Sequence, residues 1–360
     1  MPQNWMRHFE LQLLDKNGKG IDLSDFKVSF KIDWFNISSA TRIATFTIYN
    51  LSKNTVQRIL QEEFSSVRII AGYDGVAPVV NQRQAGVARN VTSADAVGQS
   101  GNENFGLIFN GDIRYSMTGR ENPTDTYVLI QAADSDNAFI SAMSGSTLSA
   151  GYTVADMNKA VMKDFSPYGI AEDNSQVTMP PTVFPRGRVL FGMTRDLMDN
   201  VANQCRGTWM MVGGVRVMTN SIPDESLAIE LNSSTGLIGM PQQTIGQGVN
   251  VRCLINPNIH VNSLIRLNQA EVLINQVAIP EGDLRLSNGP FSATVENGNS
   301  TITLPVSQSN TASLATDGVY IVRGIMYTGE TRGQAWYMDM MCAARDAADL
   351  TSQSAREKGL

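Results

Sequence analysis

Residues 26–35 read F-K-V-S-F-K-I-D-W-F, and this alternation decides the fold class. Phe26, Val28, Phe30, Ile32 and Trp34 fall on one side of an extended chain. Lys27, Ser29, Lys31 and Asp33 fall on the other. A period of two marks a strand with one face buried and one face wet. Residues 42–49, R-I-A-T-F-T-I-Y, repeat the pattern. Strands of this kind belong in an antiparallel sheet or barrel.

Working outward, residues 8–14 form a further strand that stops at the turn Asp15-Lys16-Asn17-Gly18. Ser52 is placed to cap a short helix carrying Val56, Ile59 and Leu60 on one face. Residues 67–73, 107–113 and 126–132 return to strand. Residues 74–104 are rich in Gly, Ala, Asn, Gln and Ser and lack periodicity, so they read as an inserted loop or arm.

The middle of the chain changes period. Thr153-Val154-Ala155-Asp156 has the form of a capping box, and Met157, Val161 and Phe165 then share a helical face. Pro167 ends that helix. Thr194 is expected to cap a second helix with an apolar stripe of Leu197, Met198 and Val201. Gly213-Gly214 between residues 209–212 and 215–218 spells a tight hairpin, because two glycines supply positive φ without steric cost. Strand signals resume at 249–254, 263–267, 319–326 and 336–341, the last two bracketing a hairpin loop at 328–333. Residues 281–315 read as a polar excursion.

The expected fold is mainly β with a smaller α+β part: two antiparallel β-barrel domains flanking a mixed α/β domain. The expected boundaries are 1–137 and 236–343 for the β-barrels, with 74–104 inserted in the first. The mixed domain takes 138–235, and 344–360 form a polar C-terminal tail.

Composition narrows function. Charged residues make up only 17% of the 360, so the polar surface is built from Asn, Gln, Ser and Thr. Low charge suits persistent protein contacts. A net charge of −6 disfavours a protein that wraps nucleic acid. Cys205, Cys253 and Cys342 have neither an even count nor metal-site spacing, which fits a reducing compartment. No apolar run of transmembrane length occurs, and residues 1–20 lack a leader pattern. Synthesis in a bacterial-type cytoplasm without export is expected.

The search for chemistry yields little. His8 and His260 lie far apart in sequence and nucleate no metal site. No P-loop, dinucleotide fingerprint or nucleophile elbow is present. Asp134 with Asp136, and Glu62 with Glu63, are the carboxylate pairs that could serve glycoside cleavage. Asp134-Ser135-Asp136 reads instead as a turn opening a helix, with Asp at exposed amides. Glu62-Glu63 reads as a solvated helix end. Phe26, Phe30 and Trp34 read as core rather than as a stacking strip. Met210, Met211, Met338, Met340 and Met341 read as core filling that could also mark contacts. No catalytic, cofactor-binding or metal residue is therefore assigned, no cofactor is expected, and the chain is not expected to be an enzyme.

Three segments together resemble the baseplate hub family of contractile phage tails. The first runs from Thr47-Ile48-Tyr49-Asn50-Leu51-Ser52 into the following helix, then through 67–73 to Ile108-Phe109-Asn110-Gly111-Asp112-Ile113. The second is Gly236-Leu237-Ile238-Gly239-Met240-Pro241-Gln242 with residues 248–257. The third is Gly318-Val319-Tyr320-Ile321-Val322-Arg323, then 328–333, then Trp336-Tyr337-Met338. The resemblance spans about residues 7–343 discontinuously, and 74–104 have no counterpart in it.

The resemblance implies tail-tube-like barrels and a homotrimer joining a six-fold tail tube to a three-fold central spike. Its implied partners are the tube or tube-initiator protein, the spike, surrounding baseplate proteins, and DNA that passes the lumen without specific binding. Its implied place is the virion tail. The alternatives are a cell-wall-degrading or carbohydrate-binding tail protein, and a tail-tube or type VI-like spike hub component.

Overall fold

The structure, a computed structural model, describes residues 6–35, 41–74, 89–92 (backbone only), 104–220, 225–243, 248–267 and 318–344. The excursion expected at 281–315, the tail beyond 344 and most of 74–104 lie outside the described residues.

In chain order the first strands are β1 (Arg7–Leu14), β2 (Lys19–Asp22), β3 (Val28–Phe35) and β4 (Ile43–Tyr49). Helix α1 (Lys53–Leu60) follows, then β5 (Ser66–Tyr73), β6 (Arg89–Thr92), β7 (Asn104–Arg120) and β8 (Thr126–Ala133). The middle holds α2 (Asp136–Ser141), β9 (Met143–Leu148), α3 (Val154–Phe165), β10 (Ala171–Gln176), β11 (Arg188–Met193), α4 (Thr194–Gln204), β12 (Thr208–Val212) and β13 (Val215–Thr219). The last part holds β14 (Ile229–Glu230), β15 (Gln242–Gln243), β16 (Gly248–Cys253), β17 (Leu264–Arg266), β18 (Val319–Glu330) and β19 (Trp336–Ala344).

The chain is mainly antiparallel β with a smaller α+β part, as the alternation at 26–35 implies. The two β regions are not separate sheets, however. Fourteen strands form one sheet, with the path β15-β16-β19-β18-β3-β4-β8-β7-β5-β1-β2-β6 and β14 and β17 attached beside β18. Among the described residues this path has two ends. The join is β3 against β18, in register from Ser29 opposite Glu330 to Phe35 opposite Gly324. The same alternating strand therefore belongs to both β regions: Phe30, Ile32 and Trp34 are buried, and eight of the twelve residues of β18 are buried.

The join needs small residues. A Cβ on Gly329 would lie 2.3 Å from the Phe30 ring, and one on Gly324 would lie 2.7 Å from the Phe35 ring. Phe30 cannot yield, because Phe9 stacks on it at 5.7 Å and Trp336 meets it edge-on at 5.5 Å. Arg7 closes the same region from outside by donating to the carbonyls of Gly333 and Gln334 at 2.6 and 3.1 Å.

Three bulges bend the long strands. The β5–β7 register slips so that Ile108 has no partner, and β7 slips again against β8 at Arg114. β18 slips at Arg323, between the stretch beside β17 and the stretch beside β3. A bulge re-aims the extra residue. Accordingly Arg114 reaches Asp136 at 2.6 Å, and Arg323 reaches Asn262 at 3.3 Å.

The middle region has its own core of α3, α4 and the sheet β10-β13-β12, with Phe165, Met198, Val201 and Trp209 fully or almost fully buried. The capping box at Thr153 forms in both directions. The Gly213-Gly214 turn forms with φ of 61° and 83°. Thr194 departs from expectation. It is the first helical residue rather than the cap, and its hydroxyl is buried against that of Ser144 at 3.1 Å. Backbone pairing of β6 with β2 also shows that part of 74–104 is strand rather than loop. Strands β9 and β10 carry no apolar alternation, being rich in Ser, Gly and polar or charged residues, and β11, R-V-L-F-G-M, is apolar on both faces, so none of the three shows a period of two.

A Gly329→Val substitution overpacks the join. It should lower stability by about 1–3 kcal/mol, read as a fall in the thermal midpoint, while Gly145→Val, where a side chain meets open space, should leave the midpoint near the wild-type value.

Candidate functional site: a buried junction and two apolar surfaces

The carboxylates singled out in the sequence resolve into structural partners. Asp134 is fully buried and Arg42 is 6% exposed. Arg42 donates through Nε at 2.7 Å, and through Nη2, to Asp134 Oδ2. The same oxygen accepts the amide of Gly213 at 2.8 Å, and Ser135 donates to Oδ1 at 2.9 Å. Arg42 Nη1 donates at 3.1 Å to the carbonyl of Ile108, the residue left unpaired by the bulge. The guanidinium lies 4.8 Å from the Trp34 ring and 5.6 Å from the Phe109 ring. Five pieces of chain meet at this one ion pair: β3, the start of β4, the β7 bulge, the end of β8 and the β12–β13 turn.

Asp136 is in the first turn of α2 and pairs with Arg114. The helix start expected here forms, but the capping differs. Ser135 is the cap, in the left-handed region and without a side-chain bond, and the Asn137 amide is taken at 3.1 Å by Asp112 from β7. Burial holds the Asp112 carboxyl above the usual range, and the charges of Asp136 and Asp134 add to this. Glu63 is gripped by Arg58 through two bonds of 2.7 and 2.5 Å on the surface, while Glu62 takes a positive φ just past α1.

The other expected residues fall as follows. Phe30 and Trp34 are in the core and Phe26 packs on its margin. Met210, Met211, Met338 and Met340 are buried. All three cysteines are free and buried, and burial raises the Cys253 and Cys342 thiols far above their ordinary range. His8 lies in β1, and His260 sits in the loop before β17 with its ring 5.9 Å from Trp34. Among the described residues no group of three His, Cys, Asp or Glu side chains could hold a metal ion, and no helix is long and apolar enough to cross a membrane.

Two apolar surfaces remain open. The ribbon β9–β11 pairs Met143 with Met193 and Gly145 with Phe191. One face is buried through Leu190 and Ser144; the other exposes Met143 at 63%, Val189 at 68% and Phe191 at 78%. Among the described residues neither strand pairs with any third strand. The second surface is a groove of about 650 Å³ lined by Phe35, Ile238, Met240, Met326, Met340 and Met341. Arg252 and Asp339, joined at 2.6 and 3.1 Å, cross its wall. The sequence hinted at this groove only through its methionines, since Met240 and Met341 are half exposed while Met338 and Met340 are not.

No family model matches the chain, and no curated protein matches it. Solved structures do. The 43 kDa tail protein of prophage MuSo2 from Shewanella oneidensis superposes with a TM-score of 0.52 at 7% identity, covering 96% of this chain and all of that one. The tail protein from Neisseria meningitidis MC58 gives 0.49 at 8% identity, covering 95% and 97%. The E. coli c3393 protein, a type VI secretion component described as similar to T4 tail proteins gp27 and gp5, gives 0.48 at 6% identity, covering 94% and 76%. The chain thus shares its fold, over nearly its whole length, with a solved prophage tail protein. The match runs end to end with the MuSo2 protein and agrees with the mainly β tail-protein fold that the sequence resemblance implies.

Asp134→Ala strands the Arg42 charge in the core and should cost about 3–5 kcal/mol in denaturant unfolding. The double change Arg42→Met with Asp134→Leu should recover most of that loss. Asp136→Ala, at a partly exposed pair, should cost much less.

Proposed function

We propose that this chain is a structural protein of a phage tail baseplate, acting as a trimeric hub. The observation that carries the reading is the fold shared over the full length of the prophage tail protein. The two β regions, 1–137 and 236–343, are read as the paired tube-like units of that hub, with 138–235 as the mixed domain between them. Three chains would offer six such units to a six-fold tube and three-fold symmetry to a central spike. The single sheet through β3 and β18 supports this, because it holds both units rigidly in one subunit.

Several features support a role by shape rather than by reaction. The buried carboxylate is bonded to structural donors. Exposed contiguous apolar surface, as on β9–β11, is typical of a subunit that functions inside an assembly. A net charge of −6 suits a channel that DNA crosses without adhering. In this reading the chain resides in the virion tail, after assembly in the host cytoplasm, and contacts the tube or tube initiator, the spike and neighbouring baseplate proteins.

Light scattering coupled to size-exclusion chromatography, on the chain alone and with its spike protein, should show a three-chain species. A strict monomer under both conditions overturns the trimer. Peptidoglycan suspensions should stay turbid with the purified chain; clearing that is lost in Asp136→Ala would establish a hydrolase instead.

A further inference from the structure

At one end of the sheet β1, β5 and β7 run side by side, with His8 opposite Gly72 and Gly72 opposite Phe105. His8 and Phe105 are two strands apart, about 9–10 Å of backbone separation. Their rings nonetheless stack at 3.7 Å and 10°. Gly72 makes this possible. It has no side chain to separate the rings, its φ is 150°, and a Cβ there would lie 2.2 Å from the carbonyl oxygen of Asn104.

Both nitrogens of the stacked ring face carboxylates. Nδ1 lies 2.5 Å from Asp74 Oδ1 and Nε2 lies 3.2 Å from Glu10 Oε1. A neutral imidazole has one N–H and one lone pair, so it satisfies only one of the two; the imidazolium satisfies both. Burial by itself favours the neutral ring. The hydrogen bonds to Glu10 and Asp74, with their charges, outweigh burial and raise the His8 pKa above its ordinary 6.5.

The other charged groups nearby are engaged elsewhere. Arg7 on β1 donates to carbonyls of the β18–β19 loop. Arg68 on β5 donates to Gln12 at 2.8 Å, and Gln12 in turn donates to Glu10 Oε2 at 2.9 Å. Tyr73 remains a neutral phenol because burial raises its pKa. From β7 the ring meets Phe105, which is uncharged.

Asp74 directly follows the end of β5 and Phe105 is the second residue of β7, so the two lie on either side of residues 75–103. The Asp74 amide is also bonded to the Met6 carbonyl at 2.9 Å. We propose that His8, Glu10, Asp74 and Phe105 form a proton-operated latch that fastens the ends of β5 and β7 to β1. The latch is closed while His8 carries its proton. Its contribution is complete below the ordinary histidine value and is lost as pH rises through the raised one. The ends of β5 and β7 are therefore held most firmly in mild acid and loosen towards alkaline pH. The latch is independent of the assembly reading, since every partner lies in one chain.

The test uses the full chain. Proton NMR of the two histidine rings should give His8, assigned by its loss in His8→Phe, a titration midpoint above 6.5. Glu10→Gln and Asp74→Asn should each move it down. Hydrogen exchange between pH 6 and 8.5, corrected for the intrinsic rate, should show peptides spanning 70–74 and 104–107 opening several-fold more often at the higher pH. One unit of pKa displacement corresponds to about ten-fold in that opening. His8→Phe keeps an aromatic ring for the stack and should remove the pH dependence. A His8 midpoint at or below 6.5 overturns the latch, as does an unchanged pH course in His8→Phe. If His8→Phe does not fold, Glu10→Gln and Asp74→Asn carry the same exchange comparison, and the same pH course as wild type in both overturns it.

Discussion

A buried guanidinium holds the architecture together. Removing the Arg42 charge from water is expensive, and only a near-complete set of partners offsets the cost. Asp134 supplies the opposite charge, the Ile108 carbonyl accepts a further bond, and Trp34 and Phe109 offer their ring faces. The remaining capacity of Asp134 is filled by Ser135 and by the Gly213 amide. The partners come from four separate segments of the chain, at Trp34, Ile108-Phe109, Asp134-Ser135 and Gly213. The bulge in β7 serves this site, since Ile108, left without a partner on β5, gives its carbonyl to Arg42. The β12–β13 turn is tied to the same site, because its Gly213 amide donates to the Asp134 carboxylate.

The join of β3 to β18 depends on the same region. Trp34, under the Arg42 guanidinium, is paired with Ile325 across that join. The first and last thirds of the chain thus share one sheet whose rigidity comes from packed aromatics: Phe9, Phe30 and Trp336 on one side of the join and Trp34 near its other end. Glycines at 324 and 329 keep the faces close.

What remains on the surface divides by character. The β9–β11 ribbon and the methionine-lined groove are apolar and await contact, whereas the His8 cluster is polar, internally satisfied and responsive to protons. The Arg42 junction and the His8 cluster both use ionic groups, yet they differ in kind. The Arg42 junction gathers its partners in the core, whereas the His8 contact depends on whether the ring holds its proton and is therefore conditional.

The sequence by itself determined the class of the fold and many of its strands. Alternation at 26–35 and 42–49, the capping box at Thr153 and the glycine turn at 213–214 are local patterns, and local sterics and hydrogen bonding suffice to produce them. The same holds for the reading of Phe30 and Trp34 as core. Only the tertiary structure decided which strands are neighbours, because pairing between residues some three hundred apart leaves no periodicity in either segment. It also decided the meaning of Asp134 and His8. A carboxylate at a helix start looks the same in sequence whether it caps amides or neutralises a buried arginine. A lone histidine becomes a titrating contact only when folding brings Glu10 and Asp74 to its two nitrogens and leaves a bare glycine for its ring to cross.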